Sequence, residues 1–542
     1  MSPQIRDRVW LPVHKFLAGV VCFLVLVAGA ALVAVSLDDD EPCAEGLKET
    51  GPAKECIGVT DEAYVFEDEL EGLIRGIAAE NARVRKGWDS PEDGRAPIPY
   101  VRIALMMPMT RDASSVMTIE LIRNALAGAH TAQLRANQDS GMRYQLLLAN
   151  DGKDLDQWAP VVDQLAGMTD EESPLVAVMG FPSSHPHTQR AAEALSARKI
   201  PVVGPVITSP DMSADYLFKT SASNEHFAQA LERYLEREPG SGKGFLVWDS
   251  RKEDNYSVNL RQVFMNRFDK DYGLRKRNAS YLGETGSGEG IPQLFASIAQ
   301  KICLTKADTV FFAGRDRDLP GLVTQLADQA SCEHKRPIRI MKVGIGQDPV
   351  FTDEETTERM RKARITTVGG SDVDPRWWQK GEGQPPGFDA FQEVYERLAK
   401  KLDLGGKALD DGYTIMYHDA FTVLAQAADE AYTAANSEEG KREGKDEGED
   451  EGEPRLPSKD DVYNTMTNMN VLGTEDGSDC VNCIRGASGT FGFDAAPETD
   501  KWPVCKPVPV VEYPVGGSGS GSGGKREPDY RTHEDIFDGK CL

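Results

Sequence analysis

The hydrophobic pattern of the chain divides it into three regimes. From Phe16 to Leu37 the residues are uncharged and almost all apolar, matching the ~20 residues that a helix needs to cross the hydrocarbon of a bilayer. Between Tyr64 and Arg85, apolar residues recur at helical spacing (Val65, Leu70, Leu73, Ile74, Ile77) among acids and bases. That spacing predicts an amphipathic helix packed on the main domain. From Val101 onward the pattern changes to short apolar runs separated by helical periodicity. Strands are predicted at Val101–Met107, Tyr144–Ala149, Leu175–Met179, Ile200–Val206, Phe245–Trp248, Val310–Ala313, Ile338–Val343 and Ile365–Val368. Helices are predicted between them, among others at Val116–Asn137, Leu155–Met168, Thr188–Arg198, Asn224–Glu236 and Pro320–Ala330. Strands that alternate with helices over several hundred residues form parallel, doubly wound α/β sheets. This many strands fill two such sheets, so two lobes are expected.

Two consecutive predicted strands run into loops of small hydroxyl residues. Leu175–Met179 leads to Ser183-Ser184, and Ile200–Val206 leads to Thr208-Ser209. The carboxyl edge of an open parallel sheet is where ligands sit. Hydroxyls and backbone N–H groups there can hold a polar molecule without titrating; the same residues also serve as helix caps. No nucleophile–base pair accompanies them, so the pattern suits holding a molecule and not transforming it. His185-Pro186-His187 lacks the spacing of a metal-binding helix and reads as a loop. Tyr417-His418-Asp419 falls inside a predicted helix, and Trp377-Trp378 reads as packing. No enzyme, metal or cofactor is expected.

Charge orients the chain. Arg6, Arg8 and Lys15 precede the long apolar run, and Asp38, Asp39, Asp40 and Glu41 follow it. The bias places residues 1–15 in the cytoplasm, 16–37 in the membrane and everything beyond outside the cell. A cleaved signal peptide is the alternative reading. Nine cysteines are present, one of them (Cys22) inside the apolar run. The other eight suit an oxidising compartment. Proximity suggests Cys43/Cys56, Cys303/Cys332, Cys480/Cys483 and Cys505/Cys541, although eight cysteines allow 105 connectivities. Cys480-Val481-Asn482-Cys483 lacks two further ligands for zinc. The net charge of −26 argues against nucleic acid and anionic membrane surfaces as partners. Ser437–Asp461 is nearly free of apolar residues and predicts a disordered acidic loop, and Gly516–Gly524 predicts a flexible tether.

Several segments together resemble a known family. They are IALMMPMT (103–110), LIRNALAGAHTAQLRANQ (121–138), LLLANDGKDLDQ (146–157), GFPSSHPHTQRAAEAL (180–195), IPVVGPVITSPDM (200–212), YTIMYHDAFTVLAQAADEA (413–431) and GASGTFGFD (486–494). In this order they are similar to the type I periplasmic binding fold, in the leucine/isoleucine/valine-binding branch of ABC-transporter solute-binding proteins, over about residues 100–512. The resemblance implies two Rossmann-like lobes joined by three crossovers. Lobe one would hold about 100–220 and 370–470, and lobe two about 221–369 and 485–512. Before them lies a connector, 38–99, with its exposed cysteine-containing part at 38–60, and after them a tail, 513–542. The resemblance further implies ligand contacts at Ser183, Ser184, Thr208 and Ser209 from one lobe, and at Tyr256, Arg315, Asp316 and Asp348 from the other. The implied function is a membrane-anchored, extracytoplasmic protein that closes on a small polar ligand, amino-acid-like, and delivers it to ABC permease subunits. The alternative is a ligand-sensing receptor built on the same fold.

Overall fold

Two seven-stranded sheets carry the fold, and both repeat one strand order. The computed structural model describes residues 43–91, 97–112, 115–138, 141–252, 254–283, 292–329, 332, 336–347, 353–437, 454–471, 482–493, 501–515, 529–533 and 536–537. Sheet one contains β1 (Leu47–Thr50), β2 (Glu55–Thr60), β3 (Tyr100–Met106), β4 (Arg143–Asn150), β5 (Leu175–Gly180), β6 (Val202–Gly204) and β7 (Leu217–Lys219). Their order is β1-β2-β4-β3-β5-β6-β7, parallel from β4 to β7. Sheet two is built on β8 (Gly244–Asp249), β9 (Asn278–Tyr281), β10 (Thr309–Ala313), β11 (Ile338–Val343) and β12 (Ile365–Gly370), running β12-β11-β10-β8-β9 in parallel.

The central strands are buried along nearly their whole length, because helices cover both faces of a parallel sheet. This is why they appear in the sequence as unbroken apolar runs. The order of helix connections reverses between β3 and β5 in sheet one, and between β8 and β10 in sheet two. Loops diverge at such a point and leave a crevice.

Among the described residues the chain crosses between the sheets three times. It leaves β7 for the helix Asn224–Arg237, which packs under sheet two. After β12 it returns to lobe one, where the helices Phe388–Leu402 and Tyr413–Ala435 join the core of β3, β4 and the helix Ile119–Ala136. Gly128 lets the last two of these helices cross closely, since a Cβ there would stand 2.1 Å from the carbonyl oxygen of Thr414. The third crossing leads to β17 (Val510–Tyr513), antiparallel to β12.

Between the second and third crossings lie β13 (Ile484–Gly486), β14 (Gly489–Phe493) and β15 (Pro503–Val504), and the third crossing itself carries Lys506 and β16 (Pro507–Val508). Beyond β17 come β18 (Arg531–Thr532) and β19 (Ile536–Phe537).

Several segments differ from the sequence reading. The expected exposed connector over 38–60 contains β1 and β2, which extend sheet one through an antiparallel pair on β4. Their alternation was obscured by a short, charged first strand. The helix expected within 64–85 runs from Glu71 to Asp89 instead, and it packs Leu73, Ile74 and Ile77 into the lobe-one core. Residues 485–493, expected in lobe two, instead pack Phe491 and Phe493 beside Ile484 in the lobe-one core. Part of the expected flexible tail is ordered: β18 pairs with β17, and β19 pairs with β16. The acidic stretch 437–461 ends in a helix, Lys459–Asn468, whose start is fixed by a capping box between Ser458 and Asp461.

The predicted membrane span 16–37 lies outside the described residues, and among the described residues no helix is long and apolar enough to cross a membrane. Cys303 and Cys332 form a disulfide. Cys43, Cys56, Cys483 and Cys505 are disulfide-bonded as well, while Cys480 and Cys541 lie outside the described residues.

Candidate functional site

The crevices of the two sheets face one cavity of ≈ 120 Å³. Lobe one contributes the loop after β3 (Val116, Thr118), the loop after β5 (Ser183, Ser184) and Thr208 after β6. Lobe two contributes Tyr256 after β8, Arg315 to Arg317 after β10, and Val343 to Gly346 at the end of β11. Asp411 and Tyr413, at the start of the helix Tyr413–Ala435, complete the wall.

Six of the eight residues expected from the sequence therefore meet at this cavity: Ser183, Ser184, Thr208, Tyr256, Arg315 and Asp316. Ser209 does not line it. Its hydroxyl lies against Asp211 and the carbonyl of Asn255 (3.1 Å), a contact between the lobes. Asp348 lies outside the described residues.

The hydroxyl loops of lobe one are tied together. Ser184 Oγ accepts from the backbone N–H groups of Thr208 (3.3 Å) and Ser209 (3.2 Å), so its first task is to hold the second loop against the first. Ser184 also offers its carbonyl to the N–H of Tyr256 across the cleft (3.3 Å). Ser183 Oγ accepts from Arg315 Nη2 at 2.8 Å, a side-chain bond between the lobes.

Arg315 is fixed from behind by Asp254, through Nε (3.1 Å) and Nη2 (2.6 Å). Burial pushes the Asp254 carboxyl up, but Arg315, with Arg251, outweighs it and holds the group below the usual carboxylate range. Such a planar, two-bonded pair fixes the guanidinium in orientation.

Two features of the opposing wall bear on chemistry. Tyr256 donates to the carbonyl of Val343 (2.8 Å), and burial, followed by the nearby Asp316, raises its phenol well above the ordinary value. It therefore presents a neutral ring. Asp316 is ion-paired through Oδ2 with the buried Lys342, which also donates to Gly346 O (3.2 Å). The other oxygen, Oδ1, is buried without a hydrogen-bond partner. An unmet buried acceptor of this kind costs about 1–3 kcal/mol and calls for a donor.

Sequence reasoning missed Asp254, Asp411 and Tyr413. Asp411 accepts from Asn124 (2.6 Å) and from the N–H of Tyr413 (2.8 Å). Asp411 and Tyr413 follow no strand, and Asp254 lies in the loop after β8, where Tyr256 was the residue singled out.

The other motifs have structural roles. His185 caps the helix Pro186–Ala197, accepting from the N–H of His187, and burial pushes its imidazole down to about 4. His418 and Asp419 are fully buried, and Asp419 accepts from the N–H groups of Ala487 (2.7 Å) and Ser488 (2.8 Å). It thus anchors the β13–β14 turn. Trp377 packs on Phe388, and Trp378 donates to Asp410 (3.1 Å). Among the described residues no group of three His, Cys, Asp or Glu side chains is placed to hold a metal ion.

No protein-family model matches the sequence, and no curated protein matches it. Solved structures do match. A leucine binding protein from Thermotoga maritima aligns at 16% identity over 81% of this chain and 99% of its own, with a TM-score of 0.53. A branched-chain amino acid transporter substrate binding protein from Streptococcus pneumoniae, in complex with isoleucine, aligns at 14% identity over 81% and 99%, with a TM-score of 0.53. An ABC-transporter solute binding protein from Rhodopseudomonas palustris, in complex with 3,4-dihydroxybenzoic acid, aligns at 12% identity over 81% and 96%, with a TM-score of 0.52. At these identities the likeness is one of fold. The chain has the two-lobed fold of the leucine-binding and related solute-binding proteins, the type I periplasmic binding fold.

Proposed function

We propose that the chain is an extracytoplasmic binding protein for a small polar molecule that is neutral overall, an amino acid or a close analogue, and that it serves ABC-type uptake while held to the membrane by residues 16–37. The observation that carries this reading is the cavity at the facing crevices of both sheets. Its charges balance: Arg315 stands with Asp254 and Lys342 with Asp316, while Arg317 and Asp411 line opposite lobes. A net-charged ligand would be left uncompensated in so buried a site, whereas a zwitterion would not. In this reading the unpartnered oxygen of Asp316 receives the ammonium group. Ser183 and Thr208 receive the carboxylate from the other lobe, and Tyr256 covers the side chain. Size supports a small solute, since an apolar cavity of about 150 Å³ accommodates benzene. A ligand touching both lobes binds the closed arrangement more tightly and shifts the hinge towards it.

The test is a thermal-shift screen of the full chain in detergent against the proteinogenic amino acids and small aromatic acids. A neutral amino acid at a hundredfold its Kd should stabilise the protein by about 2.7 kcal/mol. Stabilisation by net-charged solutes alone, or by no solute in the panel, would refute the reading.

A further inference from the structure

The segment after the Gly/Ser-rich tract is attached to both lobes and to two of the three crossings between them. On lobe two, β18 lies antiparallel to β17, with Thr532 opposite Val511 and Arg531 opposite Glu512. Tyr530, just before it, is buried with its ring 4.9 Å from that of Tyr513. The phenol of the same Tyr530 donates to Asp410 Oδ2 at 3.1 Å. Asp410 belongs to lobe one: Ala408 and Leu409 beside it are part of that core, and Asp411 lines the cavity. The second crossing is held by Thr532, whose hydroxyl donates to the fully buried Asp374 at 2.7 Å. The third is held by β19, which pairs with β16 at Val508↔Ile536 and Pro507↔Phe537.

From these attachments we propose that residues 529–533 and 536–537 form a strap that restrains the hinge and favours the closed arrangement of the lobes. Lobe opening bends the crossing segments, because a hinge absorbs its motion in a few such residues. A strand laid across two of them, with a side chain bonded to the far lobe, must give way for that bending to occur. The strap then sets the fraction of molecules able to grip a ligand, and apparent affinity scales with that fraction. The strap acts in this way whatever the cavity binds, and it gives residues 529–533 and 536–537 a part in binding without ligand contact.

Hydrogen exchange of the full chain in detergent tests this. Two amides bond across the cleft, Tyr256 N–H to Ser184 O (3.3 Å) and Gln347 N–H to Asp410 O (2.7 Å), and report its opening. Tyr256 is the decisive reporter because its partner is not next to Asp410. In Tyr530→Phe and in Thr532→Val, each of which removes one hydroxyl and leaves β18 in place, exchange at Tyr256 should quicken about tenfold, the effect of losing one buried hydrogen bond. Amides inside β3 and β10 should keep their wild-type rates. Deletion of 529–542 should give a larger acceleration at Tyr256. Wild-type exchange at Tyr256 in both point variants overturns the proposal, whatever the deletion does. Equal acceleration at Tyr256, β3 and β10 in the point variants also overturns it, because it would mean general loosening.

Discussion

Replacing Lys506 by Met tests how the three crossings are held together. Lys506 Nζ stands 3.2 Å from Asp372 Oδ1, with side-chain exposures of 1% and 0%. It also donates to the carbonyl of Thr220 (2.6 Å), and Asp372 accepts from the N–H of Ala222 (3.0 Å) and from the Ser221 hydroxyl (2.5 Å). Residues from all three crossings thus converge on one buried ion pair. Removing one partner of such a pair leaves an uncompensated charge and costs about 3–5 kcal/mol. The double variant Lys506→Met/Asp372→Asn removes that charge while its amide oxygen still accepts from Ala222, so it should recover about half of the loss.

The pH dependence has a definite sign. Burial already holds Asp372 above the usual carboxylate range, against the opposing effect of Lys506. Without the lysine the carboxyl moves further up. A group with a raised folded pKa contributes fully below its unfolded value and loses that contribution as pH rises through the folded one. The deficit of Lys506→Met should therefore be smallest near pH 4 and grow towards pH 8. Urea unfolding followed by tryptophan fluorescence at the two pH values measures it. A deficit below about 1 kcal/mol, or one that is equal at both pH values, would show that the pair does not act as a buried charge clamp.

Further outcomes follow from the same contacts. Asp316→Asn should weaken binding of an amino acid identified by thermal shift by about 1–3 kcal/mol, read by calorimetry, and unchanged affinity would move the ammonium site elsewhere. Gly128→Val should unfold lobe one or lower its melting temperature by many degrees, because its first carbon already collides with Thr414 O at 2.1 Å; a native-like melting curve would contradict the helix crossing. Removing the Cys303–Cys332 bond by a double Ser substitution should cost about 2–4 kcal/mol in urea unfolding under oxidising conditions, and an unchanged midpoint would contradict a stabilising bond there. Burial holds His130 down at about 4. Because this imidazole is depressed relative to the unfolded chain, its stability contribution is present above about pH 6.5 and is lost as the pH falls towards 4. His130→Gln should flatten that part of the pH–stability curve, and an unaltered slope would count against its burial as neutral imidazole.

Much of the fold is legible in the sequence where the physics is local. A strand covered on both faces must be apolar along its length, so β3, β4, β5, β10 and β11 stand out as runs. The four-residue edge strand β9 is mostly exposed and has no such run, and it was not read. β7 is buried but only three residues long, too short to declare a period. The hydroxyl loops were legible because they follow runs that could be read. Asp411 and Tyr413 were not, because they open a helix that looks like any other core helix.

By itself, then, the sequence determined the elements, their alternation and the strand ends that carry hydroxyls, since hydrophobic periodicity records which faces of a local element are buried. Tertiary structure decided who meets whom. Asp254 reaches Arg315 across 61 residues, Tyr530 reaches Asp410 across 120, and Lys506 reaches Thr220 across 286. A charge or hydroxyl has the same local surroundings in the sequence whether its partner is solvent or a side chain in another lobe. Only the folded chain removes the water and makes that partner obligatory.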